Sequence, residues 1–190
     1  MILFFFGPPG AGKGTQAKFI SEELNIVHLS TGDVLRDQLK KKSNLPLELK
    51  NIIEKGQLVS DKILNQIVSE LIAKEDCKKG FIVDGYPRTL SQTHFITNYF
   101  FKNKLSFDHF FEFYIDHDSM IKRITNRALV EKRDDDSEKT IKTRLDEYNQ
   151  ETKPVLNYFK KQYSSIYHII DGNQEIGKIN SLLLRLLKKQ

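Results

Sequence analysis

The sequence predicts an α/β fold, a three-layer sandwich in which a five-stranded parallel sheet lies between helices. Three observations predict it. Short apolar runs alternate with helical stretches along the whole chain. The runs at 2–6 and 81–83 are apolar without interruption, as strands covered on both faces are. Between the first run and the first helical stretch stands Gly7-Pro8-Pro9-Gly10-Ala11-Gly12-Lys13-Gly14-Thr15, with the Gly7-x4-Gly12-Lys13 spacing of the phosphate-binding loop of P-loop folds.

Taken in order, Ile2-Leu3-Phe4-Phe5-Phe6 suits one buried strand and is too short for most helices. After the glycine loop, Ala17, Phe19, Ile20 and Leu24 fall at helical spacing. Val27-His28-Leu29 is a second strand. Ser30-Thr31-Gly32-Asp33 offers helix-capping chemistry ahead of Val34, Leu35 and Leu39. Pro46 starts another helix, with Leu47, Leu49, Ile52 and Ile53 on it and Gly56 as its stop. Ser60-Asp61 caps a third, which carries Ile63, Leu64, Ile67, Val68, Leu71 and Ile72. The first two of these three helices read as a small insertion after the second strand. Gly80 leads into Phe81-Ile82-Val83-Asp84, a buried strand ending in a carboxylate, and Gly85-Tyr86-Pro87-Arg88 turns. A helix follows from Ser91 to the aromatic end at Phe100-Phe101. Residues 110–115 form the fourth strand. A helix over 117–128 has Met120, Ile121 and Ile124 on one side and arginines on the other. Residues 130–138 are polar and aperiodic and read as a surface loop. A long helix over 138–163 is interrupted or bent near Pro154. Residues 166–170 are the last strand, Gly172 turns, and Ile176, Ile179, Leu182, Leu183, Leu186 and Leu187 mark a closing helix.

Composition narrows the function classes. A length of 190 residues with 39% hydrophobic and 29% charged residues suits a soluble globular protein with a sizeable core. The net charge of +5 is mild and fits anionic small ligands without demanding nucleic acid. The single Cys77 excludes an internal disulfide and a cysteine metal cluster, which fits a reducing, cytoplasmic compartment. The N-terminal apolar run is short, has no preceding positive charge, and is not a signal peptide. No stretch reaches the length that spans a membrane. Arginine is sparse, at Arg36, Arg88, Arg123, Arg127, Arg133, Arg144 and Arg185, while lysine supplies the remaining basic residues. Arginines kept where lysine is the default suit positions that need a planar fork for phosphate or carboxylate.

The chemistry gathers at the strand ends. Glycines let successive backbone N–H groups turn inward. The helix that follows aims its positive end at the same spot. Lys13 adds a mobile full charge. A mere glycine-rich turn accounts for neither the lysine nor the helix. The general pattern has Ser or Thr at position 14 to ligate magnesium; here Gly14 stands there and Thr15 follows. In open parallel sheets ligands bind beyond the carboxyl ends of the strands, and Asp33 and Asp84 land there with the loop. Asp84 has the form of a carboxylate that holds magnesium through water. The bland alternative is a turn cap.

Several segments carry a closer likeness. Gly12-Lys13-Gly14-Thr15, Asp84-Gly85-Tyr86-Pro87-Arg88 with Thr89-Leu90-Ser91-Gln92, Ser30-Thr31-Gly32-Asp33 with Arg36, Gln57-Leu58-Val59, and Arg123, Arg127, Arg133 with Asp135-Asp136, and Arg144 follow one another. Over essentially its whole length the chain resembles the adenylate kinases of short-lid type, within the nucleoside monophosphate kinases. It departs at Tyr86, where most members have Phe, at Lys132, which replaces a glycine, and at Lys139, which replaces a Glu.

The resemblance implies one kinase core over 1–190, with a monophosphate-binding subdomain at 30–59 and a short lid at 126–137. It implies reversible phosphoryl transfer from ATP to AMP, giving two ADP. Gly10, Ala11, Gly12, Lys13, Gly14 and Thr15 would hold the ATP phosphates, with Arg127 and the backbone carbonyl near Gln174 at its adenine. Thr31, Arg36, Gln57, Leu58, Val59, Gly85, Tyr86, Pro87, Arg88 and Gln92 would hold AMP, joined by Arg133 and Arg144. Lys13, Arg88, Arg123, Arg133 and Arg144 would neutralise the phosphates during transfer, and Asp84 would hold Mg2+ through water. The partners implied are ATP, AMP and ADP, with no nucleic acid, membrane or zinc, and a monomer. A phosphate acceptor needs no general base, because its second pKa is ~6. Transfer to UMP or CMP is the nearest alternative; Thr31 and Gln92 favour adenine. A P-loop GTPase or switch needs Ser or Thr at position 14 and, to read guanine, an Asn-Lys-x-Asp that the chain lacks. A binding module that has lost catalysis would have no use for Lys13 and the arginines.

Overall fold

The computed structural model describes residues 1–40, 47–131 and 137–188. Its five strands are β1 (Ile2–Phe6), β2 (Val27–Ser30), β3 (Phe81–Asp84), β4 (His109–Tyr114) and β5 (Tyr167–Asp171). They form one parallel sheet in the order β2-β3-β1-β4-β5. The apolar run of β1 therefore sits in the middle, and all five of its residues are buried. Alternation divides it between two cores. Ile2, Phe4 and Phe6 face one side with Phe81, Val83 and Phe110, while Leu3 and Phe5 face the other with Ile82, Phe111 and Phe113.

Helices cover both faces. On the second face lie α1 (Lys13–Leu24), which places Ala17 and Ile20 in the core, and α9 (Ile176–Leu187), which adds Ile179 and Leu183. On the first face, after α2 (Thr31–Lys40) and α3 (Leu47–Glu54), lie α4 (Asp61–Ile72) with Leu64 and Val68, and α5 (Leu90–Lys102) with Ile96 and Phe100. The helix α6 (His117–Glu131) packs Met120 and Ile124 against Ile141 of α7 (Glu138–Glu147). The helix α8 (Lys153–Gln162) returns to the first face with Val155, Leu156 and Phe159.

Phe159 is fully buried and meets the rings of Phe4, Phe6, Phe107 and Phe110. Phe159→Ala is expected to cost about 4 kcal/mol of stability, since collapse cannot fill a hole walled by other rings. A denaturant titration reads this directly.

The structure departs from the sequence expectations at several boundaries. β2 extends to Ser30, which pairs with Asp84. Ser30 Oγ then accepts from the Asp33 N–H at 3.2 Å, so Ser30 caps α2 and Thr31 is its first residue. β4 and β5 each lie one residue from the expected bounds. β4 begins at His109, which pairs with Leu3 of β1, and its buried imidazole meets that of His168 in β5 at 2.9 Å. α5 begins at Leu90, with Thr89 Oγ1 accepting from the Gln92 N–H at 3.1 Å. α6 continues past Ala128 to Glu131, so 130–131 are helical rather than loop. Pro46, Lys132, Arg133, Asp135 and Asp136 lie outside the described residues.

The expected interruption or bend near Pro154 takes the form of a π turn just before it. The chain stays helical but widens into a π turn, Tyr148–Thr152, where Lys153 N–H bonds to the carbonyl of Tyr148. Pro154 then falls in the first turn of α8. Proline lacks an N–H and crowds the carbonyl one turn back, so a wider turn just before it relieves both problems.

Candidate active site

The parallel register brings the carboxyl ends of the first three strands together. Phe5 and Ser30 both lie opposite Asp84. The glycine loop leaves β1 beside that carboxylate and enters α1. Two of its glycines are required by geometry. At Gly7, φ is 141° and an added Cβ would run into the carbonyl oxygen of Phe113 in β4. At Gly10, φ is 75° and a Cβ would stand 3.0 Å from Ile124 Cγ1 and 3.2 Å from the Met120 carbonyl oxygen. The loop is seated directly on β4 and α6.

Lys13 Nζ donates to the carbonyls of Gly7 at 2.8 Å and Pro8 at 2.9 Å. Burial lowers its pKa to about 8; Asp84 pulls it back up, and Arg88, Arg144 and Arg127 push it further down. Asp84 is 9% exposed and pairs with His28 Nε2 at 3.3 Å. Burial raises the Asp84 pKa, but the His28 hydrogen bond and the charges of Lys13 and Arg88 together hold it below the ordinary carboxylate range. The site thus presents an ionised carboxylate at neutral pH.

A cavity of about 810 Å³ opens over the loop. Among its lining residues are Arg36, Arg88, Arg123, Arg127 and Arg144, with Gly10, Gly12, Lys13, Gly14, Thr15, Asp84 and Gln174. Of the arginines in the described residues, only Arg185 does not line it. Five guanidinium groups and a lysine around one open space repel each other strongly, and polyanionic ligands relieve that repulsion. A smaller cavity of about 60 Å³ adjoins it, sharing Lys13, Gly85, Arg88 and Arg144 and adding Leu58, Pro87, Glu147 and Tyr148. Arg88 and Arg144 thus face both spaces.

Other predicted residues are placed differently. Thr31 is buried, and its hydroxyl donates to the Gly85 carbonyl at 3.1 Å. Arg36 Nη2 donates to Asp33 Oδ1 at 2.6 Å. Gln57 and Val59 line neither cavity, and Val59 is buried in the core. Tyr86 borders the small cavity, yet it is fully buried and its hydroxyl turns away to Asn65 Oδ1 at 2.6 Å. Gln92 departs furthest from the sequence expectation. It is fully buried and lines neither cavity; its Oε1 accepts from the Arg88 N–H at 2.7 Å and its Nε2 donates to Asp61 Oδ1 at 2.8 Å. Both ends of its amide are engaged by the protein in this conformation.

Sequence reasoning missed residues that support the site. His28 was given no role, although it pairs with Asp84. Gln16 is buried on the apolar face of α1, and its Nε2 donates to the Ile176 carbonyl at 2.9 Å, tying the loop helix to the start of α9, two residues past Gln174. A polar residue inside an apolar pattern was the available signal in both cases. Tyr148, the first residue of the π turn, also borders the small cavity. Among the described residues, no group of three His, Cys, Asp or Glu is placed to hold a metal ion. No helix among them is long and apolar enough to cross a membrane.

Comparison with known proteins agrees with this geometry. The family model for adenylate kinase matches residues 5–164. The chain is 36% identical to an adenylate kinase of Methanocella arvoryzae, with 100% of this chain and 99% of that protein aligned. It is 38% identical to one of Agrobacterium fabrum, covering 100% and 98%, and 34% identical to one of Finegoldia magna, covering 100% of each.

Proposed function

Because this chain belongs to the adenylate kinase family, and so catalyses reversible phosphoryl transfer from ATP to AMP giving two ADP, we propose how its residues divide the work. The loop from Gly10 to Thr15 holds the phosphates of ATP, with Arg123 and Arg127 of α6 on the donor side. Arg36 and Arg88 hold the phosphate of AMP. Arg144 lies between, and Arg133 of the lid joins it on closure. The observation that carries this reading is the convergence of Lys13 and five arginines on one cavity.

Phosphoryl transfer asks for alignment and charge neutralisation rather than for a base. Lys13 leaves the Gly7 and Pro8 carbonyls and follows the transferred group. The arginines let two polyanions meet in line. Closure of the 30–59 subdomain and the 126–137 lid excludes water as a rival acceptor. Leu58, Gly85, Tyr86 and Pro87 border the small cavity beside Arg88 and shape the AMP side, with Gln57 and Val59 flanking. Thr31 and Gln92 act on that side through the Gly85 and Arg88 backbone they bind. The carbonyl near Gln174 faces the adenine of ATP.

Magnesium with ATP fits the donor set as a hydrated ion: Asp84 supplies one carboxylate, and it lines the large cavity together with Gly14 and Thr15, where water can complete the ion's shell. Bound there, the ion would neutralise phosphate charge. Zinc has no place in this reading, which is completed by a cytoplasmic monomer without nucleic-acid or membrane partners.

The test is an acceptor panel of AMP, CMP, UMP and GMP with ATP and magnesium, scored for diphosphate. AMP is expected to be converted far faster than the others. Thr31→Ala, which removes one of the two side-chain donors to the Gly85 carbonyl and leaves Arg88 Nε there, is expected to narrow the AMP-over-CMP preference several-fold, roughly the worth of one hydrogen bond. Failure of the folded wild-type protein to make ADP from ATP and AMP overturns the proposal.

A further inference from the structure

The geometry points to Thr152 and Asp61 as positioning residues that clamp the main chain of Arg88 from opposite sides and so set its reach for the acceptor phosphate. The inference rests on the reading of Arg88 given above. Both backbone groups of Arg88 are held by side chains. Its N–H donates to Gln92 Oε1 at 2.7 Å, and its carbonyl accepts from Thr152 Oγ1 at 3.2 Å. Its own Nε donates to the Gly85 carbonyl at 2.7 Å, which aims the guanidinium.

The Gln92 amide is oriented in turn by Asp61, which accepts from Nε2 at 2.8 Å and so leaves Oε1 pointing at Arg88. Thr89 Oγ1 donates to the same carboxylate at 3.1 Å and accepts the Gln92 N–H at 3.1 Å. One turn along α4, Asn65 takes the Tyr86 hydroxyl. The first turns of α4 therefore grip the segment from Tyr86 to Gln92 from one side.

The π turn grips it from the other. Helical threonines ordinarily return their hydroxyl to their own helix, as Thr93 and Thr97 do, bonding to Thr89 and Thr93 carbonyls at 2.9 Å and 3.0 Å. Thr152 is buried and reaches across the molecule instead. The wider turn is what departs from regular helix at this point, and π turns recur where a helix must present a functional group. α7, which carries Arg144, runs directly into it. The clamp so links the placement of both arginines that face the two cavities.

Steady-state kinetics with AMP and ATP varied separately test this on Thr152→Val, Thr152→Ser and Asp61→Ala. Valine keeps the shape of threonine and loses the donor. It is expected to raise KM for AMP about fivefold, the worth of one hydrogen bond, and to leave KM for ATP within about twofold. Serine restores the donor and is expected to bring KM for AMP back within about twofold of wild type. Asp61→Ala is expected to give the same AMP-only signature, and it carries the test should the valine variant fail to fold. An unchanged KM for AMP, an equal rise in both KM values, or no rescue by serine overturns the clamp. If wild type makes no ADP, the functional reading fails; if wild type turns over and Thr152→Val matches it, only the clamp fails.

Discussion

Lys13→Met is expected to lower kcat about a thousandfold, at the upper end of what removing one charged donor from a transition state costs. Methionine keeps the unbranched stem and loses the ammonium, so no other contact need change. Among the described residues Lys13 Nζ bonds to the Gly7 and Pro8 carbonyls, and both belong to the loop itself. Stability should not follow activity. The buried ammonium has its pKa lowered from 10.5 to about 8. A lowered pKa means that the unfolded chain holds this proton more tightly. Wild-type stability accordingly rises with pH between about 8 and 10.5, and the full cost of the buried charge is present below that window. Lys13→Met removes the cost and flattens the rise, so its Tm at pH 7 is expected to match or exceed wild type. Near-normal turnover in an ADP-coupled assay refutes the role; a large fall in Tm refutes the account of the charge.

Arg88→Lys is expected to cost about a hundredfold in kcat/KM for AMP while leaving the binding of ATP within a small factor. Charge is conserved, so a purely electrostatic role would be nearly indifferent to the change. Two features argue otherwise. The guanidinium is aimed by a 2.7 Å bond from Nε to the Gly85 carbonyl, which an ammonium cannot make while also offering a fork. Gly85 has φ at 81°, and a Cβ there would come within 2.9 Å of Arg88 Nη2. The side chain therefore lies flat against a backbone surface kept bare for it. Substrate titrations separate the outcomes: an equal loss for both nucleotides would mean that Arg88 sets the field of the cavity and does not grip AMP.

The parts of this site that could be read from the chain are those whose chemistry is local. The strand, glycine loop and helix over 2–24 announce themselves within two dozen residues, and Asp84 closes an apolar run. The arginines could be suspected because lysine was the alternative everywhere else. What escaped depends on distant pairing. His28 meets Asp84 across 56 residues, Gln92 meets Asp61 across 31, and His109 meets His168 across 59. No periodicity encodes such encounters. Gln92 illustrates the difference: the resemblance gave it to AMP, whereas its surroundings occupy both ends of the amide. The π turn escaped for another reason. Widening a helix by one residue shifts its apolar stripe too little to be distinguished from a bend at Pro154.

The seating of the loop on Phe113, Met120 and Ile124 has a thermodynamic consequence. A ring of inward amides that formed only around its anion would lose backbone entropy at every encounter, and affinity would fall accordingly. Here folding has already met that loss, because neighbouring main chain leaves Gly7 and Gly10 no other place to go. Capture of a triphosphate is then expected to proceed without a slow rearrangement of the cradle, so a rapid-mixing measurement of ATP binding should show no slow phase from the loop itself.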